Sequence, residues 1–175
     1  MKKSELVLLD ANIIIELFRL GLWDKIIDRF HISLSRTVAE TEVKYFEDSE
    51  SNRHYIDLNK FIEESLISVF DVPASKVLKF KSEFDPTYVD RLDPGETESL
   101  IYLLENEADC VICSADSIVF KILGNLNKED SGISLDEIFQ MAGFTVQVAY
   151  QYSKGFRERY SRLGAVDSVT GKGKL

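Results

Sequence analysis

The chain predicts an α/β fold, a single-domain α/β/α sandwich with a central, mainly parallel sheet. Three observations lead there. Short apolar runs at Leu6 to Leu9, His31 to Ser35, Leu66 to Phe70 and Cys110 to Ser114 alternate with stretches of helical periodicity. The first run is apolar throughout, as a central parallel strand covered on both faces requires. Four acids follow strands or open helices: Asp10, Glu40, Glu98 and Asp116. These are the edges at which open α/β sheets gather their ligands.

Taken in order, Leu6 to Leu9 is the first strand. Asn12 to Leu20 reads as a helix because Ile13, Ile14, Leu17 and Phe18 recur on one side, and Gly21 ends it. Leu22 to Phe30 is a second short helix and His31 to Ser35 a second strand. Thr37 to Phe46 reads as a helix opened by a capping box, Thr37 with Glu40. Residues 47 to 54 are a polar connection, Tyr55 to Glu64 is an amphipathic helix and Leu66 to Phe70 the third strand. Pro73 starts a helix through Phe84, Asp85-Pro86 breaks it, and a loop runs through Asp93-Pro94-Gly95. Glu96 to Asn106 is a helix, Cys110 to Ser114 the fourth strand, Ile118 to Leu123 and Leu135 to Met141 short helices, and Phe144 to Tyr150 a last strand. No internal repeat is present.

The 175 residues, 45% hydrophobic and 11% aromatic, suit one domain with a substantial core. No apolar run is long enough to span a membrane, and Met1-Lys2-Lys3-Ser4-Glu5 leads straight into a strand, so the expectation is a cytoplasmic protein without membrane contact. Cys110 and Cys113 are three apart in a strand, point to opposite faces and read as core residues rather than a metal pair. His31 and His54 have no Cys or His companions, which argues against a soft-metal site. Net charge is −9, unevenly spread. From Gln151 onward, Lys154, Arg157, Arg159, Arg162, Lys172 and Lys174 stand against Glu158 and Asp167, leaving +4 there and −13 in residues 1 to 150. Residues 151 to 175 are thus a basic C-terminal helix or tail. It is expected to be a solvated, partly disordered end, with the rival reading that it holds a polyanion over an acidic site.

Acids crowded at one sheet edge raise one another's pKa, and a bound divalent cation relieves that cost. Oxygen donors suit Mg²⁺ or Mn²⁺, which polarise a phosphodiester and acidify water. Each acid also has a structural alternative. Glu40 could complete the capping box, with Glu42 the fallback acid; Glu96 and Glu98 both suit a helix N-terminus; and Asp116 could cap the helix that follows it. Asn12 and Ser114 are candidate groups for holding carboxylates in place, or turn and cap residues.

Leu8-Leu9-Asp10-Ala11-Asn12-Ile13-Ile14 resembles the opening of PIN-domain nucleases, whose first strand ends in a metal-binding Asp. Thr37-Val38-Ala39-Glu40 resembles the segment with the family's second acid, Glu98-Ser99-Leu100-Ile101 the helix start with its third, and Ser114-Ala115-Asp116 its Thr-x-Asp ending. Gly95-Glu96-Thr97-Glu98 is also similar to the Gly-Glu motif of another PIN branch, making Glu96 a rival or partner to Glu98. The resemblance covers roughly residues 5 to 150, and departs from the toxin branch in having Glu at the third position. It implies a PIN-like fold and a Mg²⁺- or Mn²⁺-dependent ribonuclease with RNA as substrate. An antitoxin protein that blocks the site, or a second copy of the chain, is open as a protein partner. Two other functions compete. Haloacid-dehalogenase-like phosphatases also place an Asp after the first strand but need a second Asp two residues on, where this chain has Asn12. A PIN-like module could also bind RNA or protein without cleaving.

Overall fold

Among the described residues seven strands form, in chain order: β1 (Leu6–Leu9), β2 (His31–Ser35), the pair β3 (Tyr45–Glu47) and β4 (Arg53–Tyr55), then β5 (Ile67–Phe70), β6 (Cys110–Cys113) and β7 (Gly132–Ile133). They are seen in a computed structural model that describes residues 6–106 and 110–175. Five of them make one parallel sheet in the order β5-β2-β1-β6-β7, with β1 at its centre. Val7 lies opposite Ile32 on one side and Val111 on the other. Because side chains alternate across a strand, Val7 and Leu9 enter one core layer and Leu8 the other. Cys110 and Cys113 divide the same way, as expected of core thiols three residues apart.

The helices are α1 (Ala11–Arg19), α2 (Trp23–Ile27), α3 (Asn59–Glu63), α4 (Ala74–Ser82), α5 (Pro86–Val89), α6 (Pro94–Glu105), α7 (Ser117–Asn125), α8 (Leu135–Met141) and α9 (Lys154–Val169). Ile13, Ile14 and Leu17 of α1 share a core with α2, α3 and α8 on one face of the sheet. Leu100 and Leu103 of α6 share the other with α4, α5, α7 and Phe156 of α9. The α/β/α sandwich is therefore as expected. Among the described residues no helix is long and apolar enough to cross a membrane.

Four local expectations are corrected. Thr37 to Phe46 is not one helix: Val38–Glu42 makes a single wide π turn, closed by the Val43 amide on the Val38 carbonyl at 3.2 Å, and the chain then enters β3. The polar stretch 47 to 54 is the tip of the β3–β4 hairpin, which takes Tyr55 out of the helix assigned to it. Phe144 to Tyr150 pairs with no strand among the described residues. Val146 and Val148 alternate inward against the core, which gives a strand-like pattern without a ladder, and the sheet is completed by two-residue β7. Residues 154 to 169 are an ordered helix packed along α7, not a solvated end. Gly124 and Gly164 make that packing close, since a Cβ on Gly164 would collide with the Lys121 carbonyl oxygen. Asn125 then anchors the residues after α9, its amide donating to the Lys172 carbonyl at 2.8 Å and its oxygen accepting from the Lys174 amide at 3.0 Å.

Candidate active site

Leu9 of β1 lies opposite Cys113 of β6, so Asp10 and Asp116 leave the sheet from neighbouring strand ends. Asp10 is 2% exposed and caps α1. Its Oδ1 accepts from the Ile13 amide at 2.9 Å, and its Oδ2 from the Ser114 hydroxyl and the Ala115 amide. Burial pushes its pKa up, the three donors oppose this, and the Asp116 charge adds to it. The Ser114 oxygen also accepts from the Asp116 amide at 2.9 Å, so one buried hydroxyl fixes both acids. Asp116 in turn caps α7 through the Ile118 amide at 2.9 Å.

The start of α6 brings two more carboxylates. Asp93 and Glu96 form its capping box, the Asp93 amide donating to Glu96 Oε2 at 3.1 Å. Glu96 is 4% exposed, and its pKa is pushed up to about 8, first by burial and then by the Asp10 charge, with Asp116 and Asp93 adding. Glu98 accepts from the Thr37 hydroxyl at 2.8 Å through Oε1, while its Oε2 is buried with no hydrogen-bond partner. The Thr37 hydroxyl that the capping box needed is thereby engaged elsewhere.

The second acid departs from expectation. Glu40 points into solvent and pairs with Arg36 at 2.7 Å, while Arg36 also grips Asp71 with two further bonds. It neither completes a capping box nor joins the other acids. Glu42, carried round by the π turn, accepts from the Gly95 amide at 3.0 Å. That approach requires glycine, because a Cβ at residue 95 would stand 2.5 Å from Glu42 Oε2 and from a Val38 methyl. Burial raises the Glu42 pKa, with the Asp93, Asp10 and Glu98 charges adding. Asn12 is exposed, and the donors on Asp10 are Ile13, Ser114 and Ala115 instead.

The structure thus brings Asp10, Glu42, Glu96, Glu98 and Asp116 to one end of the sheet and leaves Glu40 and Asn12 out. Among the described residues no lysine or arginine pairs with any of the five. No protein-family model matches this chain, and no curated protein matches its sequence. The donor set fits a hard cation, since every donor is a carboxylate oxygen and Glu98 Oε2 lacks a partner. Its arrangement is open: as placed, no three His, Cys, Asp or Glu side chains among the described residues are grouped to hold an ion. His54 bonds Asp48 at 2.8 Å, out on the hairpin.

Tyr152 was not among the expected residues. It is partly buried, and its phenol pKa is raised by burial and by the Glu16 and Asp10 charges, which puts it near the same acids. It lies just past a segment read as strand, and nothing in its spacing marks it.

Proposed function

We propose that the chain is a Mg²⁺- or Mn²⁺-dependent endoribonuclease of PIN-like fold, with Asp10, Glu42, Glu96, Glu98 and Asp116 as its acidic site. The observation that carries this reading is the charge balance of that site. Asp10 and Glu96 are both buried, the Asp10 charge raises the Glu96 pKa, no lysine or arginine pairs with either among the described residues, and Glu98 Oε2 is buried and left unbonded. Uncompensated buried charge is costly, and a divalent cation offsets it most directly. Glu42 takes the place expected for Glu40. Bound there, the cation would polarise a phosphoryl oxygen and acidify a water.

The chain's own residues hold and tune the acids. Three donors lock the Asp10 rotamer, Ser114 couples Asp10 to Asp116, and Gly95 seats Glu42. Glu96, with a pKa near 8, keeps a proton at neutral pH and releases it when positive charge arrives. In this reading RNA is the substrate, and an antitoxin that covers the acids would make the chain the toxin of a pair. A phosphatase reading fares worse, because both Asp10 oxygens that would attack phosphorus are engaged by donors and Asn12 faces solvent. A second reading, a non-cleaving RNA- or protein-binding module, is favoured by the open arrangement of the carboxylates.

Incubation of the full chain with labelled single-stranded RNA separates these readings. Cleavage is expected with Mn²⁺ or Mg²⁺ and not in EDTA, falling about a hundredfold or more in Asp10→Asn and Glu42→Gln but not in Glu40→Gln. Cleavage that ignores metal, or survives Asp10→Asn, overturns the nuclease site. RNA binding without cleavage under either metal favours the second reading.

A further inference from the structure

We propose that the groove between the β3–β4 hairpin and α1 holds single-stranded nucleic acid, with the exposed Tyr55 ring beside it as a base-stacking platform and Lys44 within it as a phosphate contact. The cleft's role as a substrate channel rests on the nuclease reading, but its capacity to bind does not.

The hairpin is rich in rings that the core does not use. In register, Tyr45 faces Tyr55, Phe46 faces His54 and Glu47 faces Arg53. On one face the Tyr45 and Tyr55 rings meet edge-on at 6.4 Å, and the Arg53 guanidinium lies 4.5 Å over Tyr45. On the other, Phe46 and His54 stack at 4.9 Å. None of these side chains is buried, and Tyr55 is 85% exposed. Cross-strand ring pairs help a short hairpin hold together, but that does not require Tyr55 to present so much of its ring to solvent. An exposed ring is a face on which any unpaired base can stack, and a guanidinium beside it extends the platform.

A groove of about 520 Å³ ties the hairpin to the acids. Ile15 and Arg19 of α1 form one wall, and Glu42, Lys44, Tyr45, Phe46 and Glu47 line the other, with Tyr55 standing just outside against the Tyr45 ring. Glu42 belongs to both the groove and the acidic site, so a strand lying in the groove passes the carboxylates. Charge selects the occupant. Arg19 is held by Glu16 and Arg53 by Glu47, whereas exposed Lys44 makes no ion pair among the described residues. An unpaired lysine flanked by rings matches a phosphate backbone carrying unpaired bases. A duplex, whose bases are stacked on one another, leaves such a platform unused. An apolar protein segment would want an aliphatic floor, and this lining is charged and aromatic apart from Ile15.

Fluorescence anisotropy with a short labelled oligouridylate in EDTA reads binding without cleavage. Tyr55→Ala is expected to weaken binding about tenfold, Tyr55→Phe to bind as the wild type, and Lys44→Ala to lower the slope of log K against log salt by about 0.7. Melting temperatures should be unchanged in Tyr55→Phe, which keeps the ring against Tyr45, and in Lys44→Ala, whose side chain makes no ion pair among the described residues. Wild-type binding by both Tyr55→Ala and Lys44→Ala, or no binding by the wild-type chain, overturns the proposal and points to a protein as the groove's occupant. Cleavage of the same RNA in Mn²⁺ tells the two readings apart. Cleavage whose KM ignores both substitutions removes the cleft and leaves the nuclease, whereas Tyr55-dependent binding with no cleavage removes the nuclease and leaves the cleft.

Discussion

Glu96 does two jobs that pull against each other. Its carboxylate closes the capping box of α6, and the same group sits buried in the field of Asp10. Its pKa of about 8 lies above the ordinary 4.5, so between those values the native chain holds a proton that the unfolded chain has released. The Glu96 contribution to metal-free stability is therefore fully present below about pH 4.5 and is lost as pH rises through about 8. Glu96→Gln keeps an oxygen for the Asp93 amide and removes the charge, so at pH 8 it should stabilise the metal-free chain by on the order of 2 kcal/mol and flatten the decline. Thermal melts from pH 5 to 8 in EDTA check this, and an unchanged slope in the variant would place the pH dependence elsewhere. Asp10, Ser114 and Asp116 were legible in the sequence because they sit at or within three residues of the ends of apolar strand runs, and adjacent parallel strands bring their ends together. The choice between Glu40 and Glu42 was not. A π turn holds one more residue than an α turn, which changes which of two acids two positions apart turns inward.

At the scale of elements, the close seam between α7 and α9 is the strongest departure from a simple reading of composition. A tail rich in small and charged residues looked solvated, yet its small residues are what let two helix backbones touch. Gly124 meets the Ser161 carbonyl and Gly164 the Lys121 carbonyl, while Lys121 and Tyr88 both bond Asp167. Several of the tail's cations are likewise engaged within the fold, Arg157 with Glu137 at 2.8 Å and Lys174 with Glu83 at 3.6 Å. Gly164→Ala should therefore cost about 1–3 kcal/mol by forcing the helices apart, measured as a lower urea midpoint at unchanged m-value. No loss would show that the seam yields freely. Removing residues 151 to 175 would strip α7 of its cover, so a basic role for this segment is better probed by single substitutions such as Arg162→Ala. The β-strands were legible where they were continuous and apolar. The two-residue β7 carries too few residues for a pattern, and the hairpin was hidden because its rings face solvent instead of alternating with a core.

At the scale of the molecule, a chain of net −9 gathers five carboxylates at the C-terminal edge of its central strands, and none of them makes an ion pair with a lysine or arginine among the described residues. The parallel sheet explains how residues 10 and 116, far apart in sequence, come to share a serine, and α6 adds Glu96 and Glu98 by starting over the same edge. Such a concentration of charge lowers the stability of the empty protein, a cost common at functional sites. A ligand that binds only the folded state returns RT ln(1 + [L]/Kd), about 2.7 kcal/mol at a hundredfold excess over Kd. For a domain of this size that is a rise in Tm of about 5–10 °C. The most direct measurement is thus thermal unfolding of the metal-free full chain titrated with Mn²⁺ at pH 7.5. The wild type and Glu40→Gln should rise together by about that amount, with Asp10→Asn and Glu42→Gln unresponsive. A wild-type melting curve unmoved by millimolar Mn²⁺, or a response lost in Glu40→Gln and kept in Glu42→Gln, would contradict the cation site described here.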